Sequence, residues 1–255
     1  MLGDKQHTPN PLSARTLPRM NYNPPPPSSF EITIATRGAA LPGTLSLPSE
    51  PVGTVIFAHG SGSGRGSPRN VVVAEILNAS HIATVLFDLL TPQEAAIEAN
   101  KFDIELLTWR LVRAVEWVSD SPIVPELPVG LFGASTGAAA ALKASALLGK
   151  TVTAVVSRGG RPDLAGNALS QVRAPSFFIV GGNDPEVERL NRKAMDKMQG
   201  ERQICIIPGA SHLFEEGRSL ETVAGLAAGW FLRYFQERTE GTRSRRTPRP
   251  EAHSH

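Results

Sequence analysis

Six short apolar runs, at residues 55–58, 83–87, 129–132, 152–156, 177–180 and 204–207, show no alternation with polar residues. A strand can be apolar at every position only when both of its faces are covered. Segments with helical patterning fall between these runs, at about 71–80, 103–118, 136–148, 186–198 and 219–235. That interleaving predicts an α/β class: a mostly parallel central sheet with helices on both faces. In the segment from residue 103, Ile104, Leu107, Leu111, Ala114, Val115 and Val118 recur at helical spacing, while Arg110, Arg113 and Glu116 point elsewhere, as in a helix lying on a sheet.

Ahead of the central runs, residues 30–36 and 44–47 alternate apolar and polar and are separated by Gly38, Pro42 and Gly43. They are expected to pair antiparallel at one edge of the sheet. Residues 1–29, with Pro24 to Pro27, and residues 237–255, rich in Arg, offer little to bury and are expected to be disordered flanks of a single domain at 30–236. With 41% apolar residues in a chain of 255, one sizeable core is within reach and a second domain is not expected. No connection is long enough for a separate lid, the stretch between 156 and 176 being the main candidate, so the site should be fairly open.

The strongest chemical signal is Gly133-Ala134-Ser135-Thr136-Gly137, a G-x-S-x-G pattern between an apolar run and an Ala-rich helical segment. Two glycines allow a tight strand-to-helix turn that holds the serine strained and exposed. Without that context the same pentapeptide would be a small-residue turn with a capping serine. A serine hydroxyl needs a base. Of the six histidines, His7, His253 and His255 lie in the flanks, His59 sits in a glycine loop and His81 at a helix end. His212, in Pro208-Gly209-Ala210-Ser211-His212, follows the last central run. A carboxylate to orient it is found in Gly181-Gly182-Asn183-Asp184-Pro185, where Asp184 also reads as a helix N-cap before proline. The chain order Ser135, Asp184, His212 is the order this kind of site requires.

The loop His59-Gly60-Ser61-Gly62-Ser63-Gly64 follows the first central run and is expected to supply the Ser61 amide to an oxyanion hole, with the Thr136 amide as second donor. The loop fits neither of the glycine patterns that bind nucleotides. Arg158 and Arg161, just past the run at 152–156, and Arg65, after the glycine loop, are possible substrate-binding residues, because a guanidinium fork pairs with a carboxylate or phosphate. Solvated loop charges are the plainer alternative for all three. Asp88, closing the run at 83–87, is expected to hydrogen-bond a neighbouring loop, with lining the site as the alternative.

These residues, from His59 to Gly64, Phe87-Asp88, Gly133 to Gly137, Gly181 to Asp184 and Pro208 to Leu213, resemble the dienelactone-hydrolase-like branch of the α/β-hydrolase superfamily. The resemblance spans roughly residues 30–236 and implies an α/β-hydrolase fold, little or no lid, no cofactor, and hydrolysis of small esters or lactones. The dienelactone hydrolases proper place a cysteine where this chain has Ser135, which implies a different substrate. The expected activity is that of a serine esterase working through an acyl-enzyme. Acyl transfer or thioester cleavage by the same residues, and ligand binding without turnover, are the alternatives.

The net charge of +2 owes much to the basic flank and gives the folded body no nucleic-acid surface. One cysteine, Cys205, excludes an internal disulfide and reads as a small core residue. No run resembles a signal-peptide core or a membrane span, and no spacing suggests a metal site. A cytoplasmic enzyme acting on a small-molecule ester, without nucleic acid or membrane, is the expectation.

Overall fold

Branched and aromatic side chains fill the apolar runs, and such residues suit a pleated surface covered on both sides. In the computed structural model, which describes residues 26–246, the runs form the middle of an eight-stranded sheet. The strands are β1 (Ser28–Thr36), β2 (Ala39–Leu47), β3 (Gly53–Ala58), β4 (Ile82–Phe87), β5 (Val129–Ala134), β6 (Val152–Arg158), β7 (Ser176–Gly181) and β8 (Arg202–Ile207). Their order across the sheet is β1-β2-β4-β3-β5-β6-β7-β8. The first hairpin and the β2/β4 pair are antiparallel, and β4, β3, β5, β6, β7 and β8 run parallel. The expected edge pair and the expected parallel centre are both present.

The helices are α1 (Pro68–Ala79), α2 (Pro92–Ala95), α3 (Ile104–Asp120), α4 (Thr136–Leu148), α5 (Pro185–Met195) and α6 (Ser219–Arg246). Strand residues alternate between two cores, as the two-residue period of a strand demands. Ile56, Val85 and Phe178 point to the face covered by α3, α4 and α5, whereas Val55, Phe57, Phe177 and Ile179 point to the face covered by α1 and α6. On that second face Phe177 stacks on Trp230 with ring centroids 5.0 Å apart. Among the described residues no helix is long and apolar enough to cross a membrane.

Several expectations are corrected. Helix α1 begins at Pro68, three positions ahead of the apolar pattern, because Ser67 stands at the N-cap and proline's fixed φ suits the first turn. Arg110 on α3 is buried: it donates to Glu94 Oε1 at 2.6 Å and to Thr36 Oγ1, so it ties the helix to α2 and β1. Strand β8 is apolar in sequence but only partly covered, since among the described residues no further strand flanks it, and Cys205 there is half-buried. The stretch between β6 and β7, Pro162–Gln171, forms 3-10 turns kinked at Gly166, in keeping with the expectation of no separate lid there.

The boundaries of the expected flanks also move. Helix α6 continues to Arg246, into the segment expected to be disordered. Pairs four residues apart, Arg233 with Glu237 and Gln236 with Glu240, support it without apolar periodicity. At the other end, Ser28 and Ser29 already pair with Leu47 and Ser46. Residues 1–25 of the expected leader and 247–255 of the expected tail lie outside the described residues.

Candidate active site

In a parallel sheet the loops after the strands collect at one edge, where open α/β proteins bind ligands. Here the ends of β3, β5, β6, β7 and β8 bring together His59 to Ser63, Ser135, Arg158, Asp184 and His212. Ser135 occupies the turn between β5 and α4 with φ 50° and ψ −120°, a conformation that is strained for any residue but glycine. The flanking glycines make the turn possible. A Cβ on Gly133 would stand 2.4 Å from Ala138 Cα, and one on Gly137 would stand 2.1 Å from the Ala58 carbonyl oxygen. The Ser135 amide donates to the Arg158 carbonyl at 3.2 Å, and the Arg161 amide donates to the Ser135 carbonyl at 3.0 Å, which pins the turn to the end of β6.

Asp184 makes both of the contacts expected of it. Its Oδ1 accepts from the Val187 amide at 3.4 Å, capping α5 behind Pro185, while its Oδ2 lies 2.7 Å from His212 Nδ1. A proton on Nδ1 donates to that carboxylate and leaves Nε2 as the free ring nitrogen. The loops carrying the pair are laced together: the Asn183 amide donates to the Ala210 carbonyl at 2.9 Å, and Asn183 Nδ2 to the Gly209 carbonyl at 2.9 Å. Glu216 accepts from the Ser211 amide at 3.0 Å, fixing the residue before His212, and hydrogen bonding from the Ser211 side chain, with that amide adding to it, draws the Glu216 carboxyl below its ordinary range.

Ser135 and His212 line one cavity of about 230 Å³, together with Gly60 to Ser63, Ser67, Arg69, Ala134, Arg158 and Leu213. No direct hydrogen bond joins Ser135 to His212 among the described residues, and such contacts in a ligand-free site commonly tighten only with substrate in place. A larger cavity of about 560 Å³ lies across the glycine loop, against Leu89, Leu90 and Leu107, and contains neither Ser135 nor His212. The smaller one is lined by Ser135 and His212 and is the candidate site.

Of the two residues expected to supply oxyanion donors, Ser61 faces this cavity and Thr136 is the first residue of α4, where a helix leaves its amide without an internal acceptor. His59 is buried. Its Nε2 accepts from the Leu89 amide at 3.0 Å, so Nδ1 carries the proton and donates to the Gly60 carbonyl at 3.0 Å. Burial pushes its pKa below the ordinary histidine value, although the Gly60 contact and Asp88 pull the other way. The imidazole is a neutral strut under the loop.

The three arginines part company. Arg158 lines the cavity, 8% exposed, and burial, with Arg69's like charge adding to it, pushes its pKa down to about 10. Arg161 instead closes a fork on Asp163, at 2.9 and 2.7 Å. Arg65 pairs with Glu31 at 2.6 Å, and its amide donates to Asp88 Oδ1 at 2.8 Å. The structure brings neither Arg161 nor Arg65 to the cavity, and Asp88 has the loop-tying role expected. Arg69 was missed; Ser67-Pro68, a helix-start pattern, was the signal that would have placed it in a first turn at the site.

This sheet order, with a strained serine after β5 and an Asp–His pair after β7 and β8, defines the α/β-hydrolase class. Within it, the sequence model of the dienelactone hydrolase family matches residues 74–236, and the chain belongs to that family. It is similar to the crystal structure of a dienelactone hydrolase from Anabaena variabilis, with a TM-score of 0.79 and 48% identity over 82% of this chain and 98% of that one. Est1E from Butyrivibrio proteoclasticus shares the fold, at a TM-score of 0.67 and 15% identity over 81% of this chain and 99% of that one. A Mycobacterium tuberculosis H37Rv protein named "Putative phosphoribosyl transferase" is 51% identical over 208 residues, 82% of this chain and 47% of its own length. The chain thus spans about half the length of the curated relatives it matches. Family membership and fold support a hydrolase.

Proposed function

We propose that the protein is a serine hydrolase that cleaves small carboxylic esters or lactones through an acyl-enzyme intermediate. The observation that carries this is the His212–Asp184 contact at 2.7 Å, sharing one cavity with a serine held at φ 50°. Ser135 Oγ attacks the ester carbonyl while His212 Nε2 takes its proton. The amides of Ser61 and Thr136 donate to the resulting oxyanion, backed by the N-terminus of α4. Collapse of the tetrahedral intermediate expels the alcohol, which takes the proton back from His212. Water, deprotonated by the same imidazole, then attacks the acyl-enzyme and releases the acid and Ser135. Asp184 holds the imidazole tautomer and stabilises the imidazolium.

A cavity of about 230 Å³ is smaller than the roughly 300–1,000 Å³ common for ligand pockets, which favours short acyl groups. The phosphoribosyl transferase name belongs to relatives of which 47% of the length is matched, and the proposed chemistry concerns the matched region. The test is labelling by a fluorophosphonate probe alongside turnover of p-nitrophenyl acetate and butyrate, in wild type, Ser135→Ala, Asp184→Ala and His212→Ala. Labelling and turnover should vanish in Ser135→Ala. Wild-type behaviour of that variant would overturn the proposal.

A further inference from the structure

Far from the Ser135 cavity, the sheet ends at β1, and among the described residues no strand flanks it there. An edge strand exposes a row of N–H and C=O groups, which proteins commonly guard with lysine, proline or a bulge. Strand β1, reading SSFEITIAT, holds no lysine, arginine or proline, and its register with β2 is unbroken from Ser28 opposite Leu47 to Thr36 opposite Ala39. Its one charge, Glu31, is taken up within the subunit, pairing with Arg65 at 2.6 Å and accepting from Thr44 Oγ1 at 2.9 Å. The opposite edge is different: β8 begins at Arg202, beside a cavity lined with the charges of Arg192, Asp196 and Arg202.

A groove runs beside this open edge. Its cavity of about 480 Å³ is lined by Thr33 and Ala35 of β1, by Arg113, Trp117 and Asp120 of α3, and by Ile123 in the turn after that helix. On α3, Trp109, Arg113, Trp117 and Asp120 follow one another at helical spacing and share one face. Trp109 is 56% exposed and Ile123 45%. Large apolar side chains left open to water along a free edge mark an interaction surface. Arg113 pairs with Glu116 in its own helix, but an exposed pair of that kind contributes little and leaves the guanidinium within reach of other acceptors. Asp120 makes no ion pair among the described residues.

We propose that this face joins two copies of the chain, with β1 pairing antiparallel to the β1 of a second copy so that the two sheets run on as one. A second copy is the occupant because the face is complementary to itself, as a two-fold interface requires. Arg113 and Asp120 carry opposite charge and flank Trp117. A two-fold axis beside Trp117 therefore sets Arg113 against the partner's Asp120, twice over, and brings Trp109 against the partner's Ile123. On β1, an axis beside Ile34 lays Thr33 opposite the partner's Ala35 and Glu31 opposite the partner's Arg37, with no like charges face to face. The two centres flank the same cavity, so one axis perpendicular to the sheet serves strand and helix together. That axis keeps both α3 helices on the same face of the continued sheet, side by side and antiparallel. The apolar residues then cover the Arg113–Asp120 pairs from water, where charge complementarity fixes register.

The test is sedimentation velocity of the wild-type protein over a dilution series, and the expected result is a reversible dimer. Arg113→Asp and Asp120→Arg each set like charges together twice across the axis, and each should weaken the dimer by about tenfold or more. The double variant Arg113→Asp/Asp120→Arg reverses the pair and should restore it. Both positions are exposed, and circular dichroism at dilutions where every variant is monomeric checks that each one folds. Ile123→Lys, beyond the end of α3, carries the comparison if a helix variant does not fold. Hydrogen exchange locates the strand: amides of residues 28–36 should exchange more slowly in the dimer and lose that protection in Arg113→Asp. A monomer at every concentration overturns the proposal, and so does a dimer that survives both single substitutions. Weakening by the single substitutions without recovery in the double variant removes the self-complementary pairing on which the choice of a second copy rests. A dimer in which the β1 amides exchange as fast as in the monomer overturns the strand pairing.

Discussion

Replacing Gly137 by alanine tests how tightly the elbow and the glycine loop are packed. The added Cβ would lie 2.1 Å from the Ala58 carbonyl oxygen and 2.6 Å from the His59 carbonyl oxygen, all backbone atoms at the end of β3. Real Cβ contacts essentially never fall under 3.0 Å, so α4 and β3 must part by nearly an ångström. No flexible side chain is there to give way. Overpacking of this kind costs about 1–3 kcal/mol, which in a domain of this size lowers Tm by roughly 2–12 °C. The separation also falls between the two proposed oxyanion donors, since Thr136 precedes Gly137 and Ser61 follows Gly60. A misplacement of about 1 Å is worth on the order of a hundredfold in rate. Steady-state kinetics on p-nitrophenyl acetate and calorimetry of Gly137→Ala should show both losses, kcat more than KM. Gly66→Ala, where a Cβ meets nothing within 4 Å, is the reference for stability. A Gly137→Ala protein with wild-type kcat and Tm would refute both the packing argument and the assignment of the donors.

Other expectations are simpler. Asp184→Asn should retain the α5 cap yet lower kcat by about 10⁴, because the amide favours the wrong imidazole tautomer; a loss below tenfold, measured on the same ester, would argue against the His212–Asp184 role. Because burial holds the folded-state pKa of His59 below its unfolded value of about 6.5, its contribution to stability is complete above that unfolded value. It is lost as pH falls through the folded one. Denaturant titrations should therefore show stability falling between pH 7 and 5 by at most about 1.4 kcal/mol per pH unit from this group, with a flatter profile in His59→Gln. On the exposed side of α6, where a Cβ on Gly225 would meet nothing within 4 Å, Gly225→Ala should stabilise the protein by about 0.5–1 kcal/mol. A lower Tm in that variant would show that the helix is not continuous there.

Periodicity and chain order were enough for much of this protein. Runs apolar at every position specified strands covered on both faces, and G-x-S-x-G between such a run and a helix placed Ser135 at the sheet edge. Asp184 and His212 followed from that frame because each stands directly after a strand, so local pattern located them. Where the expectation concerned solvent or partners, local pattern failed. Arg110 lies off the apolar stripe of α3 and is nonetheless buried, because Glu94 and Thr36 come to it from other elements. Helix α6 outran its apolar pattern on side-chain pairs four residues apart, the Arg233–Glu237 ion pair and the Gln236–Glu240 hydrogen bond.

The arginines mark the division between the two kinds of information. In sequence Arg65, Arg158 and Arg161 are equivalent, each a cation in a loop beside a strand end. Arg161 finds its carboxylate two residues away, while Arg65 reaches Glu31 across 34 residues and Arg158, among the described residues, meets Asn70, 88 residues distant. Arg69 joins the site because Pro68 starts α1 a turn early. What the sequence by itself determined was the fold class and the residues whose roles depend on position along a strand or helix. Which charges are neutralised and which line the cavity was decided only by the tertiary structure, since electrostatic pairing depends on distance in space, and residues far apart in the chain set that distance.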